Sequence, residues 1–476
     1  INPQSTKHIV VVGKNANGYV RGGGSGNVSP FHYVGAFDGI REVGESYGVK
    51  VEYVDDLDFM PEIMYTNDKL QEKGLRAEYF TNQHLEGKPL LERIEQKVNY
   101  SWSGGTSIEK MPKERYSVRW SGVVCPAETA EYEFLAGGDD GYRMYINDEL
   151  VADEWKVGGF RTSTIARTMQ AGVNYRIRFE YFQEGGGAAA RFTWKRKNET
   201  RDLFIEHLNK ADMIVACFGH SSDSEAEGGD RSFFLPEADS QLIARIAKCK
   251  KPIIGVVNAG GNIGMQSWEP SLKGLLWSWY AGQEGGRAVA DVLFGKVNPS
   301  GKLPMTFEKK WEDNPAFNSY HDPDGDKHVK YTEGIFIGYR GYDKLKRDVQ
   351  YPFGYGLSYT SFNLSGLTVS KQNADGSVEV SCKLTNTGKR DGAQVVQAYV
   401  GRVGGIIERP EKELKKFEKV FLKAGESATV RMTLPKDAFT YYSTNAKDFV
   451  VDAGTYNIML GFSSQDIKIQ KPVQIQ

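Results

Sequence analysis

Residues 213–248 read MIVACFGHSSDSEAEGGDRSFFLPEADSQLIARIAK, and this stretch decides the fold because it contains a strand, a loop and a helix in succession. The unbroken apolar run Met213–Phe218 predicts a buried strand. After the loop, Pro236 suits the first turn of a helix, and Leu242 and Ile243 supply an apolar face. The loop therefore joins the carboxyl end of a strand to a helix, which is where ligands bind in open α/β sheets.

The loop itself, Ser221–Arg231, is crowded with acidic side chains. Its carboxyl groups belong to Asp223, Glu225, Glu227 and Asp230. Such crowding tends to push carboxyl pKa values apart, and a carboxyl with a raised pKa can serve as a proton donor. On residue types alone the alternative is a solvated acidic turn in which Asp230 and Arg231 form a surface ion pair.

Length and charge limit the kinds of protein to which the chain can belong. Its 476 residues exceed what one hydrophobic core usually organises, so we expect about three domains of ~100 to 200 residues each. The 60 basic and 61 acidic residues nearly cancel, which argues against nucleic acid and membrane partners. The four cysteines lack metal-ligand spacing and predict free thiols.

The first residue, Ile1, is neither an initiator methionine nor part of a signal peptide, and HIVVV (His8–Val12) already predicts a core strand. We therefore expect the N-terminus to be cut and any targeting signal to be lost with it. A periplasmic or secreted location is favoured over a cytoplasmic one, and the chain could associate as an oligomer.

The predicted fold class is multidomain: an α/β sandwich domain interrupted by an all-β sandwich insertion and followed by an immunoglobulin-like, fibronectin type III-like β-sandwich. Residues 1–73 contain a β-α-β unit, and residues 199–361 resume the α/β alternation. Between them, residues 74–198 alternate aromatic and polar side chains with the period of half-buried strands. Residues 362–476 are again all-β and carry no catalytic cluster.

A glycine-rich loop, RGGGSGNV (Arg21–Val28), follows the first strand. It does not fit the serine-hydrolase elbow, because Asn27 stands where that motif needs a glycine after Ser25. Dinucleotide and phosphate-loop spacings fail as well. The glycines, Gly24 among them, allow the backbone to approach a ligand or a neighbouring domain closely, and a plain long turn is the alternative.

Two further stretches have the residue types of metal sites. Asp139 and Asp140, in the turn GGDDGY, could bind calcium or could only shape the turn. The segment HDPDGDKH (His321–His328) matches neither a zinc site nor a complete calcium loop, so we interpret it as a polar loop.

Several motifs together resemble the C-terminal half of glycoside hydrolase family 3, whose best-known members are β-glucosidases. The matching stretches are GGGSGNVSP (Gly22–Pro30), EAEGGDR (Glu225–Arg231), WYAGQEGG (Trp279–Gly286), VLFGKVNPSGKLPMTF (Val292–Phe307), YTEGIFIGYRGYD (Tyr331–Asp343) and YPFGYGLSYTSF (Tyr351–Phe362). RPEKELKKFEKV (Arg409–Val420) is similar to the family's fibronectin type III-like domain. The insertion is similar to the protective-antigen-type domain that some members carry.

The resemblance implies a retaining exo-acting β-glycosidase, most simply a β-glucosidase, that releases the non-reducing-end sugar of an oligosaccharide or glucoside. In the family an aspartate on a (β/α)8 barrel attacks the anomeric carbon, and a glutamate of the α/β sandwich domain protonates the leaving oxygen. The family motif assigns this glutamate to Glu227, with Glu225 as the rival. Asp230 and Arg231 would shape the loop, and Gly24 and Ser25 would lie near the substrate.

A barrel needs ~200 residues or more, and the 476 residues contain no sequence for one. We therefore expect the barrel and its nucleophile to be a separate or cleaved polypeptide. The alternative is a non-catalytic carbohydrate-binding or scaffolding module. In the first case the insertion overhangs the active site, where Trp155 and Phe160 could stack on a second sugar ring or could simply belong to the core.

Overall fold

The computed structural model describes residues 1–55, 63–102, 108–197, 202–320, 322, 325–405 and 407–476. The chain opens with strand β1 (His8–Val12), helix α1 (Ala36–Ser46) and strand β2 (Lys50–Tyr53). β1 and β2 pair in parallel, and α1 buries Ile40 and Val43 on one face of the sheet. The predicted β-α-β unit is confirmed.

The insertion follows as two packed antiparallel sheets. Its strands are β3 (Met64–Tyr65), β4 (Leu75–Phe80), β5 (Leu91–Glu95), β6 (Val98–Ser101), β7 (Tyr116–Val124), β8 (Ala130–Asp139), β9 (Gly141–Ile146), β10 (Glu149–Glu154), β11 (Arg161–Met169), β12 (Tyr175–Gln183) and β13 (Ala189–Arg196). One sheet has the order β10-β9-β12-β7-β4-β5, with β3 beside β7, and the other has the order β11-β8-β13-β6. Their facing aromatic side chains, such as Trp120, Phe179 and Trp194, are fully buried between the sheets, which explains the alternating pattern of the sequence.

The α/β domain then resumes. Its remaining elements are α2 (Leu203–Leu208), β14 (Met213–Gly219), α3 (Glu237–Ile246), β15 (Ile253–Asn258), β16 (Gly274–Trp277), α4 (Gly285–Leu293), β17 (Phe307–Glu308), α5 (Tyr339–Leu345) and β18 (Val349–Tyr351). β14 pairs in parallel with β1, and the sheet order is β16-β15-β14-β1-β2. Because β14 lies beside β1 across more than 200 residues of chain, the all-β unit is an insertion into one α/β domain.

The last unit is a second β-sandwich. Its strands are β19 (Phe362–Val369), β20 (Val378–Asn386), β21 (Gly392–Arg402), β22 (Glu413–Leu422), β23 (Ser427–Leu434), β24 (Thr440–Ser443), β25 (Asp448–Val451), β26 (Gly454–Ser463) and β27 (Asp466–Ile475). Sheets β19-β20-β23 and β22-β21-β26-β27 enclose a core that includes Val380, Leu384 and Ile458. The predicted fold class is thereby confirmed. The exact domain boundaries stay predictions, and residue 198 lies outside the described residues.

A buried ion pair attaches the terminal sandwich to the α/β domain. Nζ of Lys412 lies 2.6 Å from Oδ2 of Asp343, and the two side chains are only 11% and 8% exposed. Beside it the amide of Leu414 donates a hydrogen bond of 2.8 Å to the hydroxyl of Tyr339. These contacts join α5 to the start of β22 and the residue before it, and they hold the two units together.

None of the helices in the described part of the chain is long and apolar enough to cross a membrane. The four cysteines are free, and Cys217 and Cys382 are buried. In the segment predicted as a polar loop, Asp322 accepts hydrogen bonds from the amides of Gly325 and Lys327 at 2.9 and 2.8 Å. His321 and Asp324, also part of that prediction, lie outside the described residues.

Candidate active site

Two loops meet at the carboxyl edge of the sheet. The acid loop, Ser221–Arg231, follows β14, and the glycine loop, Arg21–Val28, lies on the connection that leaves β1. Because β1 and β14 are parallel neighbours, both connections emerge at the same edge. The amide of Gly23 donates a 2.8 Å hydrogen bond to the carbonyl of Glu225, so the two loops are directly joined.

Glycine is required where the loops cross. Gly24 has a φ of +66°, and a Cβ there would lie 2.5 Å from Cβ of Glu227. A Cβ at Gly23 would lie 2.8 Å from Cβ of Ala226. The glycine loop therefore packs closely against the backbone of the acid loop, and its predicted approach to a ligand or a neighbouring domain stays a prediction.

Glu227 lies at the exposed tip of the acid loop. Its Oε2 accepts a 2.9 Å hydrogen bond from the amide of Ser25. The hydroxyl and the amide of Ser25 hold the pKa of the Glu227 carboxyl below its ordinary value. The expectation that crowding raises the pKa of the donor is therefore wrong for Glu227 in this chain, because its carboxylate is solvated and receives hydrogen bonds that favour the charged form.

Glu225 is engaged on the inner side of the loop. Its Oε2 accepts hydrogen bonds from the hydroxyl of Tyr280 at 2.6 Å and from the amide of Gly260 at 3.0 Å. Its Oε1 lies 3.3 Å from Nε of Arg231, and both side chains are about four-fifths buried, with 20% and 19% exposed. Both oxygens of Glu225 therefore bind protein groups, whereas Glu227 has a hydrogen bond from Ser25 to Oε2 and is otherwise exposed.

Asp230 and Arg231 hold the end of the loop through different partners. Nη2 of Arg231 donates to the carbonyl of Asn262 at 2.8 Å, in addition to its contact with Glu225. Oδ1 of Asp230 accepts a 2.9 Å hydrogen bond from the hydroxyl of Tyr320. Each residue is therefore anchored separately and not by an ion pair with the other, and their loop-shaping role stays a prediction.

Sequence reasoning assigned no role to His220, which the structure places under the acid loop. The residue is only 1% exposed, and its Nδ1 lies 2.9 Å from Oγ of Ser224. Burial, together with the positive charge of Arg231, lowers the pKa of His220 to about 4. In the sequence, only its position directly after the apolar strand Met213–Gly219 could have indicated that His220 belongs to the site. Tyr280 lies within the motif WYAGQEGG (Trp279–Gly286), but nothing in that motif indicated its hydrogen bond to Glu225.

The Asp139–Asp140 turn of the insertion lies near the acid loop. Burial and the charges of Asp140 and Asp223 raise the pKa of Asp139 to about 6, so the two carboxyls of Asp139 and Asp223 are within electrostatic range. The Asp140 carboxylate accepts hydrogen bonds from the amides of Gly158 and Glu184 at 2.9 and 2.7 Å. The insertion therefore reaches the edge of the sheet that carries Glu227.

These contacts of Asp140 fit the turn-shaping alternative rather than a calcium site, because calcium prefers six to eight oxygen ligands. Within the described ranges, no group of three or more His, Cys, Asp or Glu side chains is arranged to hold a metal ion. The expectation of no cofactor, with calcium at Asp139 and Asp140 as the possible exception, stays a prediction.

The two aromatic residues for which sugar stacking and core packing were the alternatives have partners inside the insertion. The ring centre of Trp155 lies 4.8 Å from the ring centre of Phe182, and the guanidinium of Arg143 lies over the Trp155 ring, 4.0 Å from its centre. Phe160 is 42% exposed, with Arg191 5.3 Å from its ring centre. Phe160 is therefore the more accessible of the two.

A cavity of about 900 Å³ adjoins the far end of the acid loop. Its walls include Asp230, Arg231, Trp311, Tyr320 and Glu413, so it extends from the acid loop to the terminal sandwich. Aromatic rings beside charged groups make this an amphipathic surface next to the candidate site.

Comparison with known proteins gives two family matches. Residues 1–359 match the glycosyl hydrolase family 3 C-terminal domain, and residues 394–464 match a fibronectin type III-like domain. The first match includes the insertion and both parts of the α/β domain.

Similar proteins include β-glucosidases and exo-α-(1→6)-L-arabinopyranosidases. The chain is 43% identical over 309 residues to thermostable β-glucosidase B of Acetivibrio thermocellus, covering 62% of this chain and 40% of that protein. It is 40% identical over 264 residues to an exo-α-(1→6)-L-arabinopyranosidase of Bifidobacterium breve, covering 55% of this chain and 34% of the relative. Among solved structures, a β-glucosidase of Kluyveromyces marxianus superposes with a TM-score of 0.65 at 29% identity, covering 100% of this chain and 60% of the other. The chain thus spans less than two thirds of the length of each of these proteins.

Proposed function

The chain belongs to glycosyl hydrolase family 3, and on that basis we propose that it carries the acid/base half of a retaining, exo-acting β-glucosidase. Glu227 is the acid/base residue. The observation that carries this assignment is the contrast between the two glutamates of the acid loop: Glu225 uses both carboxylate oxygens in contacts with protein, whereas Glu227 stands exposed at the tip. A residue that exchanges a proton with substrate must be able to reach it.

In the proposed reaction, Glu227 donates a proton to the glycosidic oxygen while an aspartate attacks the anomeric carbon from the opposite face. The resulting glycosyl-aspartate ester is then hydrolysed by a water molecule whose proton returns to Glu227. Retention of configuration requires the two carboxyl groups to lie about 5 Å apart. The nucleophile belongs to a (β/α)8 barrel that packs against the face formed by the acid loop and the glycine loop.

This packing also explains how a carboxyl with a low pKa becomes a proton donor. A barrel and a bound sugar remove water from around Glu227, and desolvation raises the pKa of a carboxyl. The nearby nucleophile, while ionised, adds a like charge that raises it further. Val28, at the end of the glycine loop, and Phe31, three residues further on, are 64% and 101% exposed, which supports a protein surface docking on this connection.

The insertion limits substrate length in this proposal. This part of the proposal is supported by electrostatic interactions between the insertion and the α/β domain. Burial raises the pKa of Asp139, and the charge of Asp223 adds to this rise. Burial also raises the pKa of Asp239 at the start of α3, and the charge of Arg191 in β13 opposes that rise. Replacing the ring of Phe160 with Ala should reduce kcat/KM for oligosaccharides more than for an aryl glucoside. Equal losses for both substrates would count against a role in binding a second sugar ring.

The sugar itself is proposed from the relatives, several of which are named as β-glucosidases and two as exo-α-(1→6)-L-arabinopyranosidases. A panel of nitrophenyl glycosides distinguishes these activities. Preferred turnover of the β-glucoside supports the proposal, and preferred turnover of the arabinopyranoside would change the substrate while leaving the role of Glu227 intact.

The decisive variant is Glu227→Gln, assayed in the protein that includes the nucleophile. We expect kcat/KM for a glucoside with a poor leaving group to fall by roughly 10²- to 10⁴-fold, because the proton donor is lost. Azide, which needs no general base, should restore turnover of an activated aryl glucoside and yield a glucosyl azide of retained configuration. Asp223→Asn, an exposed carboxyl of the same loop, is the matched control. Normal turnover by Glu227→Gln would contradict the assignment.

A further inference from the structure

We propose that Ser25 is a positioning residue for Glu227: the tip of the glycine loop holds and orients the Glu227 carboxylate. The contact itself is a property of this chain. Its consequence for catalysis rests on the proposed function.

The hydrogen bond that fixes this contact comes from the backbone of Ser25. The Ser25 amide donates to Oε2 of Glu227 at 2.9 Å. The Ser25 hydroxyl and this amide both lower the pKa of the Glu227 carboxyl, and the hydroxyl has the larger effect. Hydrogen bonds to a carboxylate favour the charged form, since the protonated oxygen accepts them less well.

The position of Ser25 is determined by backbone contacts on both sides of it. Gly23 is bonded to the carbonyl of Glu225, and the amide of Asn27 donates to the carbonyl of Gly24 at 3.0 Å. Between them, the absence of a side chain at Gly24 allows the loop to lie directly against Glu227. The hydrogen-bond donors of Ser25 are thus held in place before any substrate binds, which is the arrangement expected of a preorganised site.

Charged groups on the elements around Glu227 have other partners. These are Arg21, which lies over the ring of Tyr19; Glu225, which pairs with Arg231; Asp223, which faces Asp139; and Asp230, which accepts from Tyr320. The low pKa of Glu227 therefore comes from Ser25 rather than from a neighbouring cation.

This arrangement has a definite consequence in a retaining mechanism. When Glu227 gives its proton to the leaving group, it becomes the carboxylate that Ser25 stabilises, so Ser25 assists proton donation. The same contact lowers the pH at which Glu227 loses its proton. Removing the Ser25 hydroxyl should therefore move the basic limb of the pH profile for kcat/KM to higher pH.

The test is a direct titration of Glu227 in the 476-residue chain. Glutamate labelled with ¹³C at the carboxyl carbon is incorporated, and the Glu227 signal is identified by its loss in Glu227→Gln. We expect a midpoint below the ordinary value of about 4.3 in the unsubstituted chain and a rise of roughly half a unit to one unit in Ser25→Ala. Ser25→Thr keeps a hydroxyl and should restore the low midpoint. Ser29→Ala removes an exposed hydroxyl of the same connection and should leave it unchanged.

An unchanged midpoint in Ser25→Ala, or an equal rise in Ser29→Ala, would overturn the proposal. In the protein that includes the nucleophile, the basic limb of kcat/KM should shift in the same direction as the titration, and an unshifted limb would overturn the catalytic part. The proposed function would be contradicted by a different result, full activity of Glu227→Gln. That result would not change the midpoint of Glu227 measured in the unsubstituted chain and in Ser25→Ala.

Discussion

Tyr280 donates a hydrogen bond of 2.6 Å from its hydroxyl to Oε2 of Glu225, and this contact ties the loop after β16 to the acid loop after β14. The residues are 55 positions apart in the chain. One carboxylate thereby joins Tyr280, Gly260 and Arg231, so Glu225 acts as the internal brace of the loop whose tip carries Glu227.

Removing this brace should loosen the loop without unfolding the domain. Tyr280→Phe leaves the Glu225 carboxylate with one partner fewer, and a hydrogen bond to a charged group contributes roughly 1.5 to 3 kcal/mol. We expect a lower Tm and faster amide hydrogen exchange confined to residues 221–231. Tyr320→Phe is the control, because it removes a hydrogen bond to the exposed Asp230 and should have a smaller effect. Equal effects of the two variants would argue against the bracing role of Glu225.

The glycine loop offers a matched pair of substitutions. Gly24→Ala places a methyl group 2.5 Å from Cβ of Glu227 at a positive φ, so the two loops must separate. Gly26→Ala meets no atom within 4 Å. We expect Gly24→Ala to lower kcat/KM at least 10-fold by displacing Glu227, since small misplacements of a catalytic group are costly, and Gly26→Ala to remain active. Kinetics with an aryl glucoside check this, and similar activity of the two variants would contradict the close packing of the loops.

His220 should make the α/β domain sensitive to acid. Its pKa in the folded state, about 4, lies below the ordinary value of 6.5, so the folded state binds this proton less readily than the unfolded state. The stabilisation is complete above pH 6.5 and is lost as the pH falls towards 4, by up to about 3 kcal/mol. Urea denaturation across this range measures it. The difference in free energy of unfolding between the unsubstituted chain and His220→Gln should shrink as the pH falls, and a constant difference would contradict the prediction.

The ion pair between Lys412 and Asp343 should matter far more than a surface pair. Lys412→Ala leaves the buried Asp343 carboxylate without its cation, which costs roughly 3 to 5 kcal/mol. Lys344→Ala breaks a pair with Glu408 whose side chains are 40% and 68% exposed, and should cost less than about 1 kcal/mol. Thermal unfolding of both variants provides the comparison. A Tm of Lys412→Ala close to that of Lys344→Ala would show that the junction does not depend on this pair.

Much of the architecture could be predicted from local patterns. Apolar runs such as Met213–Phe218 identified the strands of the α/β domain, and alternating aromatic residues identified the insertion. Both patterns follow from the side-chain periodicity of a strand, which is a local property of the sequence. The acid loop was found from its composition and its place after a strand. The low pKa of Glu227 could not be predicted in this way, because it depends on Ser25, which is 202 residues away in the chain.

The sequence by itself determined the order of the elements, the presence of an all-β insertion and the two glutamates that compete for the acid/base role. Those features follow from local periodicity and from residue types within one loop. Only the tertiary structure showed that Glu225 and Glu227 have different surroundings, since these come from three other connections at the same sheet edge, after β1, β15 and β16. Parallel pairing of β1, β14 and β15 brings these connections together, and the resulting hydrogen bonds engage one carboxylate inside the fold and leave the other at the surface.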